Sequence, residues 1–206
     1  MNGFIDSGGA TPPLLFETLR GKDLETLDAQ MKGRAFDVTI VRGIARRCPW
    51  GFPQVIVCGP LRKARPFPTT FWLTCPFLDR TCGQLESEGA VGELEGILAR
   101  PGVEKSWAAY NEKAARLRRR LLSDEERDVL LASAPAILEN VESVGVGGIR
   151  PGEKPSVKCI HLQVATWLGL GYHPAGEWLA GKLARLDCAG SWRIRCEPPI
   201  SPKEGL

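Results

Sequence analysis

The stretch KPSVKCIH, from Lys154 to His161, holds two side chains that are well suited to chemistry. Cys159 supplies a thiol, and His161, one of only two histidines, follows two residues later. A cysteine thiolate serves as a metal ligand or a nucleophile, and an imidazole serves as a metal ligand or a proton carrier. The stretch therefore indicates a metal site, a reactive thiol, or the start of an ordinary buried helix.

The predicted start of a helix at this stretch favours the thiolate form of Cys159. Ser156 is a suitable N-cap, which places Cys159 in the first turn, where free N–H groups and the helix dipole stabilise negative charge. Residues two apart in a helix point about 200° from each other. Cys159 and His161 can thus share one ion only if Cys159 precedes the regular helix. His161 also lies on an apolar stripe, as a hydrogen-bonded core histidine would.

Two more cysteines mark the ends of predicted strands. Cys48 and Cys75 are each followed by a proline, and their thiols meet at one end of a sheet if the strands are neighbours. No pair of cysteines has the Cys-x-x-Cys spacing of a zinc knuckle. We predict a site for zinc or an iron–sulfur cluster, with both metals left open, whose ligands are Cys48, Cys75, Cys159 and His161.

The remaining cysteines receive other assignments. Cys188 and Cys196 can complete this site or form a second pair, whereas Cys58 and Cys82 are assigned to packing, since free cysteine buries readily. The odd total of seven cysteines argues against a disulfide framework.

The stretch GVGGIRPGEKPSVK, which leads into the helix, combines glycines with the cations Arg150, Lys154 and Lys158. Glycines let backbone N–H groups turn toward an anion, and a helix start offers further donors. We predict an anion or phosphate site at these three cations, with a solvated loop as the alternative. The basic stretches RKARPFP and RLRRR favour RNA as a partner only if they converge in space.

Composition excludes several classes of protein. The chain has 206 residues, of which 43% are hydrophobic and 25% charged, as in an ordinary globular domain. A net charge of +3 is too small to indicate nucleic-acid binding by itself. No apolar run approaches the roughly 20 residues that span a bilayer, and the N-terminus lacks the order of a signal peptide. We therefore expect a cytoplasmic protein that does not bind membranes.

Hydrophobic periodicity predicts the elements that position these residues. Alternating or apolar runs in AFDVTIVRG, QVIVCG and TFWLTC predict three strands. An apolar stripe from Val103 to Leu121 predicts a long helix. The spacing of Ser123 and Glu126 predicts a capped start for the next helix, and Pro135 predicts a break.

The resulting expectation is an α+β fold. It has a small, largely antiparallel sheet of about three strands covered by five to seven helices. Residues 1–33 are predicted to form an N-terminal leader of short helices, residues 34–186 a single domain, and residues 187–206 a partly loose tail.

Three blocks of the sequence resemble a known family. ARRCPWGFPQVIV, PFPTTFWLTCP and VKCIHLQVATWLGLGYHP occur in the same order as in the bacterial domain-of-unknown-function family 501, and the resemblance covers about residues 38–182. It implies that the blocks form one domain, and that the four predicted metal ligands lie within them. It implies no substrate and no catalytic residue.

Three hypotheses about function remain open at this point. The first is a cytoplasmic metal-binding protein whose cations position a phosphate-bearing small molecule. The second is a non-enzymatic module that binds a protein or RNA partner. The third is thiol chemistry at Cys159 without a metal. The sequence does not decide whether the protein is an enzyme.

Overall fold

The structure is a computed structural model that describes residues 2–5 and 14–197. In these residues it contains seven strands and eight α-helices. The strands are β1 (Asn2–Ile5), β2 (Leu14–Glu17), β3 (Val41–Arg47), β4 (Pro53–Cys58), β5 (Leu61–Arg62), β6 (Arg65–Pro66) and β7 (Phe71–Leu73). The helices are α1 (Asp23–Gln30), α2 (Pro76–Ser87), α3 (Ala90–Leu98), α4 (Val103–Arg120), α5 (Asp124–Ser133), α6 (Pro135–Ser143), α7 (Ile160–Leu170) and α8 (Gly176–Leu183).

The main sheet has five antiparallel strands in the order β1-β2-β3-β4-β7, and β5 and β6 form a separate hairpin. Strand β4 is buried at every residue, because it lies between β3 and β7 and is covered on both faces. This continuous burial explains its unbroken apolar run. The predicted α+β class and the small antiparallel sheet are confirmed.

The alternation of side chains along β4 divides the interior into two cores. Val55 and Val57 face the larger core, which is filled mainly by side chains of α2, α3, α4 and α7. Ile56 and Cys58 face a smaller core that includes Leu27 of α1. Period-two alternation in a central strand therefore fixes which helices lie on each side of the sheet.

The N-terminal part of the chain differs from the prediction in two places. Residues 14–17, which the sequence places in a short helix, form β2, because backbone pairing with β1 and β3 overrides the local pattern. The strand predicted over AFDVTIVRG begins later than expected, since Val38–Ile40 forms a 3-10 turn and β3 starts at Val41. The side chain of Asp37 stabilises that turn by accepting a hydrogen bond from the Thr39 N–H at 3.1 Å.

The helical predictions of the middle segment are confirmed. Helix α4 begins at Val103, and Ser123 caps α5 through a complete capping box with Glu126. Helix α6 begins at Pro135, which supplies the first turn without needing an N–H donor. Among the helices described, none is both long enough and apolar enough to cross a membrane.

Gly169 marks a close approach between α7 and the sheet. A Cβ atom at residue 169 would overlap the buried ring of Phe71. We therefore expect Gly169→Ala to lower the free energy of unfolding by about 1–3 kcal/mol, the usual cost of overpacking, although alanine is the better helix former. Urea denaturation measures this change.

Gly96 provides the matched control, because it lies in α3 and nothing stands within 4 Å of a Cβ atom built there. Gly96→Ala should raise the free energy of unfolding by up to about 1 kcal/mol. Equal effects of the two substitutions would contradict the packing of α7 on β7.

Candidate functional site

Helix α2 presents a stripe of reactive side chains toward the start of α7. Cys75 is the N-cap of α2, and Asp79, Cys82 and Glu86 follow at steps of four, three and four residues. This spacing places all four on one helix face. Because α2 packs directly on α7, the stripe faces the KPSVKCIH stretch.

The first residue of interest in that stretch, Cys159, is itself the N-cap of α7. Its backbone is extended (φ −166°), and its sulfur accepts a hydrogen bond from the Leu162 N–H at 3.4 Å. The prediction that Ser156 caps this helix is therefore wrong. The change matters because Cys159 precedes the regular helix, which is the condition under which Cys159 and His161 can lie together.

The carboxylate of Glu86 holds the start of α7 in place. Its Oε1 atom accepts hydrogen bonds from the Ile160 N–H at 2.6 Å, from the His161 N–H at 3.3 Å, and from Nδ1 of His161 at 2.8 Å. Glu95 holds the chain just before the helix, where it accepts from the Val157 N–H at 2.7 Å, three residues before α7 begins. A carboxylate at a helix N-terminus satisfies free N–H donors and complements the helix dipole.

The imidazole of His161 is hydrogen-bonded at both nitrogens. Nδ1 contacts Glu86, and Nε2 lies 2.9 Å from the backbone carbonyl of Asp79 and 3.3 Å from its Oδ1 atom. Burial alone would lower the pKa of His161. Hydrogen bonds to Cys159 and Glu86, with the charges of Glu86 and Asp79, overcome that effect and raise this pKa to about 9. His161 is therefore a cation at neutral pH.

Glu86, Cys159 and His161 form the one group of three candidate metal ligands found among the described residues, with ligand atoms within 4.8 Å of one another. Two ligands of a tetrahedral zinc lie about 3.3 Å apart, given metal–ligand distances near 2.0 Å. The 2.8 Å contact between Glu86 and Nδ1 of His161 is shorter, as in a direct hydrogen bond. The arrangement thus fits a thiol beside an imidazolium and a carboxylate better than an empty metal site.

A cavity of about 360 Å³ opens beside this group. Arg34 lies at its edge, where it forms an ion pair with Asp79 at 2.9 Å and stacks over Trp72 at 5.9 Å. Gly147 borders the cavity where a Cβ atom would overlap Leu162. The lining residues are Arg34, Pro68, Thr69, Phe71, Trp72, Leu73, Gly147, Lys158, Cys159, His161 and Leu162.

Only one of the three cations that were predicted to bind an anion lines the cavity. Lys158 lines the cavity beside Cys159, and its side chain extends over Gly147 and Gly148. Arg150 and Lys154 are exposed on the preceding loop and do not line this cavity. Arg34, which is far away in sequence, supplies the second cation of the cavity.

The predicted metal ligands are likewise found in two places. Cys159 and His161 lie near Glu86, which is about 16 Å along α2 from its N-cap Cys75, at 1.5 Å of rise per residue. Cys48 lies instead near Cys75, and the two thiols interact electrostatically. The four residues therefore do not form one group in this structure.

Cys58 and Cys82, which were assigned to packing, are fully buried. Burial raises the pKa of both thiols far above its ordinary range. Such thiols are poor nucleophiles at neutral pH, so they provide unreactive references within the same chain.

Sequence reasoning missed Glu86, Asp79, Arg34 and Trp72 as parts of the site. The first two had a detectable signal, since a Cys/Asp/Cys/Glu stripe at helical spacing brings acidic residues and thiols to one face. No signal in the sequence pointed to Arg34 or Trp72. They lie near Cys159 only because the fold brings together segments that are far apart in the chain.

The fold and the site together define an α+β protein with a cysteine, a histidine and a carboxylate at a helix N-terminus beside a cavity. The profile of the family described as "Protein of unknown function (DUF501)" matches residues 44–181, and the chain belongs to that family. Comparisons with curated proteins and with solved structures found no match.

The two histidines are expected to titrate at opposite ends of the pH range. The pKa of His161 is raised to about 9, whereas burial lowers the pKa of His173 to about 4. Their ring protons can be followed by proton NMR, since the chain has no other histidine. Glu86→Gln should move the titration of His161 down toward 6.5 and leave that of His173 unchanged.

The same shift sets a pH dependence of stability. Because the folded-state pKa of His161 is raised above 6.5, its stabilising contribution is complete below pH 6.5 and is lost as the pH rises through about 9. The loss should be about 1–3 kcal/mol and should be absent in His161→Asn. A wild-type His161 that titrates near 6.5 would contradict the hydrogen bonding described above.

Proposed function

We propose that the protein performs covalent thiol chemistry on an anionic small molecule, with Cys159 as the nucleophile. The observation that carries this proposal is the position of the Cys159 sulfur, which caps α7, contacts the His161 cation and borders the cavity. A helix N-terminus and an adjacent imidazolium both stabilise a thiolate. The thiolate is the nucleophilic form of cysteine.

Each neighbouring group has a defined part in this proposal. The electron pair of the Cys159 thiolate forms a bond to an electrophilic carbon of the substrate, and the leaving group departs with the electrons of the broken bond. His161 stabilises the thiolate as its counter-ion. Solvent supplies the proton that the leaving group needs, because both ring N–H groups of His161 are already donated to Glu86 and Asp79. Glu86 and the Asp79 carbonyl hold the imidazolium in position by their hydrogen bonds to its two nitrogens.

The cations of the cavity define the class of substrate. Lys158 lines the cavity with Cys159, and Arg34 lines it while paired with Asp79. A carboxylate or phosphate group is the ligand that complements these cations. The indole of Trp72 offers a flat apolar wall beside them. A volume of about 360 Å³ suits a small metabolite, and this favours a small anion over an RNA strand or a protein partner.

A second candidate function is a metal centre at Glu86, Cys159 and His161. It is supported by the proximity of their three ligand atoms and by the suitability of thiolate, imidazole and carboxylate for zinc. The two candidates make opposite predictions for alkylation of Cys159, because a bound metal protects its thiolate ligand and a free thiolate reacts.

Alkylation of the metal-free chain tests the nucleophile directly. We expect iodoacetamide at pH 7 to modify Cys159 at least about tenfold faster than the other cysteines, with the sites located by peptide mass spectrometry. His161→Asn should lower that rate by about tenfold, since it removes the cation beside the sulfur. Uniform slow modification of the metal-free chain would contradict the proposal, as would a chain that is protected as purified and reacts only after a chelator is added.

Cys159→Ser separates reactivity from folding. Serine is a preferred N-cap and cysteine is not, so this substitution should leave the free energy of unfolding unchanged or raise it by up to about 1 kcal/mol. It should abolish the fast alkylation at the same time. Thermal and urea denaturation measure the stability, and a large loss of stability would indicate a purely structural role for Cys159.

The charge of the cavity can be tested with a pair of similar reagents. Iodoacetate is anionic and iodoacetamide is neutral, so the rate ratio of the two at Cys159 reports the local field. We expect Lys158→Gln to lower the iodoacetate rate several-fold and to change the iodoacetamide rate little. Lys154→Gln is the matched control, because Lys154 lies on the same loop but does not line the cavity. Equal effects of the two variants would contradict an anion site in this cavity.

A further inference from the structure

The β3–β4 turn and the N-terminus of α2 meet at one end of the sheet. Cys48 begins the turn, where its carbonyl accepts a hydrogen bond from the Gly51 N–H at 2.9 Å. The N–H of Cys75 points to the carbonyl of Gln54 at 3.4 Å, so the α2 N-cap lies against the first residues of β4. Two cysteines from remote segments thus lie at this end of the sheet.

The C-terminal segment brings two more cysteines to the same place. The indole N–H of Trp50, in the β3–β4 turn, donates to the carbonyl of Cys188 at 3.4 Å. The side-chain amide of Gln30 donates both to the Pro53 carbonyl at 2.8 Å and to the sulfur of Cys196 at 3.3 Å. Backbone and side-chain contacts therefore bring together four of the seven cysteines, from three different segments.

The thiols also lie within electrostatic range of one another. Cys75 interacts with Cys196 and Cys48, and Cys196 interacts with Cys48 and Cys188. Cysteines from remote parts of the sequence therefore share one small region of the fold.

We propose that Cys48, Cys75, Cys188 and Cys196 bind one zinc ion as four thiolate ligands and thereby fasten the C-terminal segment to the sheet. Four thiolates without a site for water are the ligand set of a structural zinc. A metal would add to the packing of this segment on the core, since residues 184–197 contain no regular element beyond one short 3-10 helix, Gly190–Arg195.

Binding requires the four sulfurs to move closer together. No three of these sulfurs lie within 4.8 Å of one another in the described residues, whereas sulfurs around zinc lie about 3.8 Å apart, given Zn–S distances near 2.3 Å. Cys75 and Cys196 are buried, while Cys48 and Cys188 are only half-buried. Rotamer changes at the two half-buried cysteines are the natural means of closure.

This zinc site is independent of the proposed thiol chemistry. Cys75 lies at the N-terminus of α2, and the Cys159 group lies near Glu86, about 16 Å along the helix. The two proposals can therefore be refuted separately. The metal content of the protein tests the zinc site, and the alkylation rate of Cys159 tests the thiol chemistry.

The test is the zinc content of the full chain after purification without chelators, measured by inductively coupled plasma mass spectrometry. We expect about one zinc per wild-type chain and the loss of most of it in Cys188→Ser and in Cys196→Ser. Cys58→Ala and Cys159→Ser are matched controls that remove a thiol elsewhere, and both should keep the zinc. A wild-type chain without zinc would overturn the proposal. So would zinc that is lost in Cys159→Ser but kept in Cys188→Ser and Cys196→Ser.

A second measurement on wild-type protein covers the case in which the variants fail to fold. Cobalt exchanged into the site should give the intense visible and charge-transfer absorption of a tetrahedral tetrathiolate. Removal of the metal should speed proteolytic cleavage within residues 184–197 and leave the rest of the chain intact. Cobalt spectra that indicate nitrogen or oxygen ligands would assign the metal to the Glu86, Cys159 and His161 group and overturn the proposal.

Discussion

The three hydrogen bonds accepted by one oxygen of Glu86 are the interaction on which the site depends. They join the C-terminal part of α2 to the first two residues of α7 and to the ring of His161. Because the same oxygen satisfies helix donors and orients the imidazolium, the position of the helix and the charge of the histidine are set together. The cavity is bounded by residues on both sides of Cys159, so its shape follows from this contact.

The two ends of helix α2 contribute to different candidate sites. Its N-cap, Cys75, lies with the thiols of Cys48 and of the C-terminal segment, whereas Glu86 lies with Cys159 and His161. The two groups differ in composition, since the first consists of thiols and the second pairs a thiol with the His161 cation. A cluster of thiols suits metal binding, and a thiol beside an imidazolium suits nucleophilic chemistry.

Much of the fold could be predicted from the sequence because its signals are local. The apolar run of β4 and the capping box at Ser123 depend on residues next to each other in the chain. Strand β2 could not be predicted, because its conformation depends on pairing with β1 and β3. The candidate site could be predicted only in part. Cys159 and His161 of the KPSVKCIH stretch belong to it, but the contribution of Glu86 depends on how α2 packs on α7.

The position of Cys159 couples the proposed chemistry to one hydrogen bond of a helix. Its sulfur caps α7 by accepting from the Leu162 N–H, and a sulfur that carries an acyl or alkyl group is a weaker acceptor than a thiolate. Under the proposed chemistry, each modified state would weaken this one hydrogen bond, and release of the group would restore it. The Ile160 and His161 N–H groups would stay bound to Glu86 throughout, so the helix would keep its place while its cap changed.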